Sequence, residues 1–240
     1  MKKSQILISI FVSLLCNQMS LANTESIKNM AQSFPLKMKP EFIDKTPIDN
    51  IYILSNPRGS FLIDASSRYL IQGDIIDLKT DLNITEAVYQ SHYSINPKQL
   101  PVAQAFKEIK GNGKRLLYVF SDPDCPACQL LQSELEDVDD ITIYTFPFAL
   151  THLHPTAVET AKKIWCSKEP LKVWKSYLIE QQKPQNNSMS CINPIDKNME
   201  LAKLHKIALT PTIFNSLGHR ISGVPDLNQL EEFINTKKYD

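Results

Sequence analysis

Leu116-Leu117-Tyr118-Val119-Phe120-Ser121-Asp122-Pro123-Asp124-Cys125-Pro126-Ala127-Cys128 decides how this chain is read. The run from Leu116 to Phe120 has the apolar and aromatic content of a buried strand. Two cysteines two residues apart then open a helix, whose apolar stripe continues at Leu131 and Leu135. Thiols so placed form a redox pair rather than a packing feature. Downstream, Leu209-Thr210-Pro211-Thr212 stands just before the apolar pair Ile213-Phe214.

The spacing assigns different tasks to the two thiols. Cys125 lies where backbone N–H groups have no partner within the helix, and their partial positive charge favours a thiolate. Pro126 suits the first turn, because the N–H it lacks would have gone unused. Cys128, on the same side but nearer the core, can attack a disulfide formed at Cys125 and release what is bound there. Asp122 and Asp124 would raise the Cys125 pKa if they came close; they are read instead as helix caps or solvated carboxylates. Pro211 is expected in the cis form, exposing the backbone of Thr210 to an extended substrate beside Cys125; a trans proline opening a strand is the alternative. Thr210 and Pro211 are thus the candidate substrate-binding residues.

The N-terminus reads as a secretory signal. Lys2 and Lys3 are followed by a short apolar run from Ile6 to Leu15, and Ser20-Leu21-Ala22 offers a cleavage site after Ala22. The run is too short for a membrane span, and Leu15 before Cys16 is too bulky for a lipoprotein site. Export implies an oxidising compartment, with the periplasm as the expected location. Of five cysteines, four remain after cleavage: Cys125, Cys128, Cys166 and Cys191. Proximity pairs the first two and leaves Cys166 with Cys191 as a structural disulfide. Lysine plus arginine and aspartate plus glutamate both number 26, and cleavage would leave a charge near −2. Nothing in that balance points to a nucleic-acid surface.

Two folded regions are expected after the signal (1–22). Ile51–Leu54, Phe61–Asp64, Tyr69–Gln72 and Ile75–Leu78 read as strands of an antiparallel meander, with turns at Asn56-Pro57-Arg58-Gly59 and Gly73-Asp74 and a short helix from Ser26 to Phe34. This region, 23–80, is too small to bury a good core alone and is expected to pair with something. Residues 81–110 read as a linker in which Val102–Ile109 has helical spacing, ended by Gly111-Asn112-Gly113. The second region, 111–240, reads as strand (116–120), the Cys125 helix, strand (141–146), helices near 156–166, 170–181 and 196–206, short strands at 212–214 and 219–222, and a last helix at 226–236. That is an α/β order with a helical insertion.

Other candidates carry less. His152 and His154 could suggest zinc, but no second pair of cysteines completes a tetrahedral set, and neither metal nor cofactor is expected. Trp165 beside Cys166 reads as core packing. His92, His205 and His219 show no partner in the sequence.

Taken in order, these features resemble the periplasmic disulfide isomerases of the DsbC/DsbG type. Phe120 to Cys128 resembles the family's active-site strand and helix start; Ile164-Trp165-Cys166, with Cys191, its structural cysteines; Leu209-Thr210-Pro211-Thr212 its substrate-loop proline; and Tyr69-Leu70-Ile71-Gln72-Gly73-Asp74 the end of its small N-terminal domain. The resemblance implies a thioredoxin-like catalytic domain with a helical insertion and a small α+β N-terminal dimerisation domain joined by a helical linker. It implies a homodimer acting on misfolded or misoxidised exported proteins, with Cys125 and Cys128 catalytic and a membrane thiol-reductant transporter as electron donor. Pro126-Ala127 departs from the Gly-Tyr of well-known members, and Leu209 stands where small residues are frequent. A periplasmic dithiol oxidase, a dedicated reductant for few clients and a thiol-independent chaperone are the alternative readings.

Overall fold

The computed structural model describes residues 25–31, 34, 39–185 and 188–236. The expected signal (1–22) lies outside them. The chain divides into two compact units between His92 and Tyr93.

In the first unit a helix, α1 (25–31), precedes four antiparallel strands in simple order: β1 (Phe42–Lys45), β2 (Ile51–Asn56), β3 (Gly59–Asp64) and β4 (Leu70–Ile71). The β2–β3 turn forms because Asn56 Oδ1 accepts the Arg58 N–H at 2.8 Å, and Gly59 takes a φ of +146°. Ile27 packs with Tyr52, Leu54 and Ile63 in the core of this unit. One expectation is corrected here. The run at Ile75–Leu78 does not extend the meander: β5 (Ile76–Asp77) pairs with β6 (Leu82–Asn83) in a separate ladder. Strand β1, unread in the sequence, occupies the edge beside β2. A helix, α2 (Ile84–Tyr93), follows, and its His92 stacks on Phe42 and bonds Asp44 at 2.8 Å, so His92 has partners after all.

The second unit is built on a five-stranded sheet in the order β11-β10-β8-β9-β7. These strands are β7 (Phe106–Lys110), β8 (Arg115–Ser121), β9 (Ile141–Pro147), β10 (Thr212–Asn215) and β11 (Arg220–Ser222). Only β8 and β9 run parallel. The helices are α3 (Pro126–Glu136), α4 (Ala157–Trp165), α5 (Pro170–Glu180), α6 (Ile195–Leu204) and α7 (Leu227–Ile234). Strand alternation sorts β8 onto two cores. Leu117 and Val119 pack with Leu131, Leu135, Leu230 and Phe233 from α3 and α7. Tyr118 and Phe120 face the other way, among Phe146, Phe148, Phe214 and Ala202.

Val102–Ile109 is not a helix. A 3-10 turn spans Val102–Gln104, and the chain then extends as β7, whose residues Phe106 to Lys110 pair antiparallel with Thr145 to Ile141 of β9. So short an apolar run fits either period, and β9, offering a free edge, satisfies its backbone in the extended form. Gly111 and Gly113, both at positive φ, then make the turn into β8 rather than a helix end.

Candidate active site

Strand β8 delivers the chain to a four-residue turn, Asp122 to Cys125, and α3 begins at Pro126. Cys125 is the N-cap residue, with no side-chain capping bond, so its sulfur meets the open N-terminal end of the helix. It is 7% exposed and its thiol faces the Thr210 carbonyl oxygen at 3.5 Å. The Thr210–Pro211 peptide is cis. Cys128, one turn further on, is 1% exposed, and its sulfur accepts the Asp122 N–H at 3.4 Å. Both thiols are free. The fold therefore brings Cys125, Cys128, Thr210 and Pro211 together, although 85 positions separate Cys125 from Thr210.

The two thiols titrate far apart. A hydrogen bond from Cys128 is the largest influence on Cys125; with the Thr210 side chain and the N–H groups of Cys128 and Ala127 it outweighs burial and lowers the Cys125 pKa to about 5. Burial pushes Cys128 well above the ordinary thiol value, and the charge on Cys125 pushes it further. The pair is thus arranged with one nucleophilic thiolate and one thiol that keeps its proton.

Asp122 and Asp124 do not cap α3, and Asp122 is not solvated; that expectation is corrected. Asp122 is 0% exposed. One of its carboxylate oxygens accepts the Asp124 N–H at 2.9 Å; the other accepts the Leu150 N–H at 2.8 Å and meets His154 Nδ1 at 3.0 Å. Asp124 accepts the Tyr177 hydroxyl and the Thr156 hydroxyl, each at 2.8 Å. Burial first, then the bond to Asp124 and its charge, push the Tyr177 pKa up to about 12. Sequence reading missed Asp122, His154 and Tyr177 as site residues. A signal for Asp122 was present: continuing the alternation Tyr118, Phe120 puts residue 122 on the same buried face. Nothing local to His154 or Tyr177 points to the cysteines, from which the chain separates them by an entire strand or more.

Cys166 and Cys191 are joined by a disulfide with a Cα separation of 5.6 Å, tying the end of α4 to the segment before α6. Trp165 stacks obliquely on Phe106, which also contacts Trp174. Cys125 and Cys128 border this cluster, together with Ile164 and Leu178.

A dithiol at the start of the helix that follows a central strand, opposite a cis-proline turn, defines a thioredoxin-type redox site. The sequence pattern described as "Thioredoxin-like domain" matches residues 102–238, and that described as "Disulfide bond isomerase protein N-terminal domain" matches residues 18–86. The chain belongs to the thioredoxin-like domain family and carries the isomerase N-terminal domain ahead of it. It is 34% identical over 168 residues to the "Probable thiol:disulfide interchange protein DsbC" of Bordetella pertussis, covering 70% of this chain and 59% of that relative. It is 22% identical over 201 residues to the thiol:disulfide interchange protein DsbC of Escherichia coli, covering 82% of each. The crystal structure of a disulfide interchange protein from Neisseria gonorrhoeae superimposes with a TM-score of 0.54 at 36% identity, over 56% of this chain and 96% of that one. The chain thus spans about three fifths of the length of the Bordetella relative. No helix among the described residues is long and apolar enough to cross a membrane.

Proposed function

We propose that this protein is a periplasmic thiol:disulfide interchange enzyme that rearranges or reduces incorrect disulfides in exported proteins. The observation that carries the reading is Cys125 itself: a thiol at the open end of α3, with a pKa lowered to about 5, beside the Thr210 carbonyl. The Cys125 thiolate attacks one sulfur of a substrate disulfide. A new bond joins Cys125 to the substrate, and the other substrate sulfur leaves as a thiolate and takes a proton. A free substrate thiol can then attack elsewhere until Cys125 is expelled, leaving electrons in balance. If that fails, Cys128 loses its proton, attacks Cys125 and frees the substrate with two electrons gained. The high pKa of Cys128 suits this second role, because the thiol stays protonated until the mixed disulfide removes the charge on Cys125.

Thr210 and Pro211 would receive an extended substrate segment beside Cys125. The Cys125–Cys128 disulfide left by reduction would be restored to a dithiol by a membrane thiol-reductant transporter. The N-terminal unit would join two copies: β4 ends its sheet, and Leu70 and Ile71 are exposed there. The likeness to DsbC relatives and the isomerase N-terminal domain support a homodimer and export. The molar mass from light scattering is expected to be twice that of one chain, and to fall to one for Leu70→Asp with Ile71→Lys.

Reactivation of a scrambled multi-disulfide protein tests the activity. The reduced protein is expected to restore native pairing and Cys125→Ser to lose that ability. Oxidation of a reduced substrate by the disulfide form, with no reactivation, would assign the chain to the oxidases instead. Reactivation retained in Cys125→Ser would point to a chaperone.

A further inference from the structure

Asp122 brings a carboxylate into a turn where a second negative charge is expected. It has no exposure to water. Its own carbonyl accepts the Cys125 N–H at 3.2 Å, and its own N–H donates to the Cys128 sulfur at 3.4 Å. An isolated negative charge so close opposes thiolate formation at Cys125. Two backbone N–H groups hold the carboxylate, and neither carries a full charge. The third partner, His154, can carry one. It approaches from the segment between β9 and α4, with Nδ1 at 3.0 Å from the Asp122 carboxylate, and its side chain keeps 20% exposure to solvent, from which it can exchange a proton.

The charged groups acting on His154 are all negative. Asp122 and Asp124 come from the turn before α3, and Cys125 from the start of that helix. Tyr177 of α5 reaches the cluster through Asp124, and Thr156 and Thr160 face the same carboxylate from α4 and the residue before it. Burial works against the imidazolium, but the bond to Asp122 and the charges of Asp122, Cys125 and Asp124 outweigh it, so the His154 pKa is raised.

We propose that His154 is a positioning residue for thiol exchange: its imidazolium cancels the buried charge of Asp122, and its proton is therefore linked to the thiolate of Cys125. This rests on the reading of Cys125 as the exchanging thiol. With His154 protonated, the Asp122–His154 pair is neutral and Asp122 no longer opposes the thiolate at the helix end. When Cys125 enters a disulfide its negative charge is gone, and His154 binds its proton less tightly. Linkage is reciprocal: whatever the imidazolium does for the thiolate, the thiolate does for the imidazolium.

That reciprocity supplies a test without any substitution. The His154 ring is titrated by NMR in the dithiol form and again in the Cys125–Cys128 disulfide form, its signal assigned by its absence in His154→Gln. The midpoint is expected to be higher in the dithiol form by about one pH unit, the scale of a neighbouring charge. In parallel, Cys125 thiolate absorbance is titrated in wild type, His154→Gln and His154→Lys. The glutamine variant is expected to raise the Cys125 midpoint by about one pH unit, and the lysine variant to restore part of it. A merely structural histidine would change stability and leave both midpoints alone. An imidazole midpoint identical in the two redox forms, or an unchanged Cys125 midpoint in a folded His154→Gln, overturns the proposal. Neither result depends on isomerase activity: exchange with glutathione and reactivation assays report separately on the function proposed for Cys125.

Discussion

Tyr177 donates its phenolic hydrogen to Asp124 across 2.8 Å, and through that bond the inserted helix α5 holds the turn that presents Cys125. Thr156, just before α4, takes the other oxygen of the same carboxylate. The helical insertion is thus attached to the active-site turn by two hydroxyls as well as by the apolar cluster around Trp174.

Removing one of those hydroxyls has a measurable cost. Tyr177→Phe keeps the ring and deletes a hydrogen bond to a charged acceptor, expected to destabilise the protein by about 1–2 kcal/mol. Urea unfolding would show a lower midpoint with an unchanged slope. An unaltered midpoint would mean that water replaces the hydroxyl without loss.

Asp122→Ala is a harsher change. It strips the acceptor from the Leu150 and Asp124 N–H groups and from His154, in a position closed to water. Stability is expected to fall by about 3 kcal/mol or more, the range for breaking a buried charge pair. The check is again urea unfolding, with circular dichroism to establish that the variant still folds. A loss below about 1 kcal/mol would contradict the burial of this carboxylate.

Stability of the dithiol form is expected to depend on pH through Cys125. Its pKa is about 5 when folded, against 9.0 for the ordinary thiol. A depressed acid stabilises the fold fully above its unfolded value and loses that contribution as pH falls through the folded one. Under reducing conditions, the difference in unfolding free energy between wild type and Cys125→Ser should therefore grow from pH 5 to pH 9. A difference independent of pH would show that Cys125 has an ordinary pKa.

The Cys166–Cys191 bridge closes a loop of 25 positions. Replacing both residues with serine is expected to cost about 3–4 kcal/mol by the chain-entropy account. Thermal unfolding of the double variant should begin at lower temperature, while Cys125 alkylation at neutral pH, governed by Cys128, Thr210 and the N–H groups at the start of α3, proceeds at the wild-type rate.

Much of the second unit was legible because its residues carry their own instructions. Leu116 to Phe120 could only be a buried strand, and the stripe Cys128, Leu131, Leu135 only an amphipathic helix. Where the sequence misled, the run was short and its partner distant. Phe106 to Lys110 fits a helix until β9 is there to pair with it. Ile76-Asp77 sits near the meander in sequence yet pairs with Leu82-Asn83, because a two-residue strand follows whichever neighbour a tight turn brings to it. Asp122 was misread for a different reason: a carboxylate just before a helix is usually a cap, and only the arrival of Leu150 and His154 makes its burial tolerable.

The dithiol and its place at the start of a helix that follows a buried strand were determined by the sequence alone, since each follows from residue type and spacing within a few positions. The burial of Asp122 against His154 and the attachment of Asp124 to Tyr177 were decided by the tertiary structure. Each joins residues dozens of positions apart, and no local preference in either partner specifies the other. Spacing determines which groups can react; packing determines which charges stand beside them, and hence how strongly.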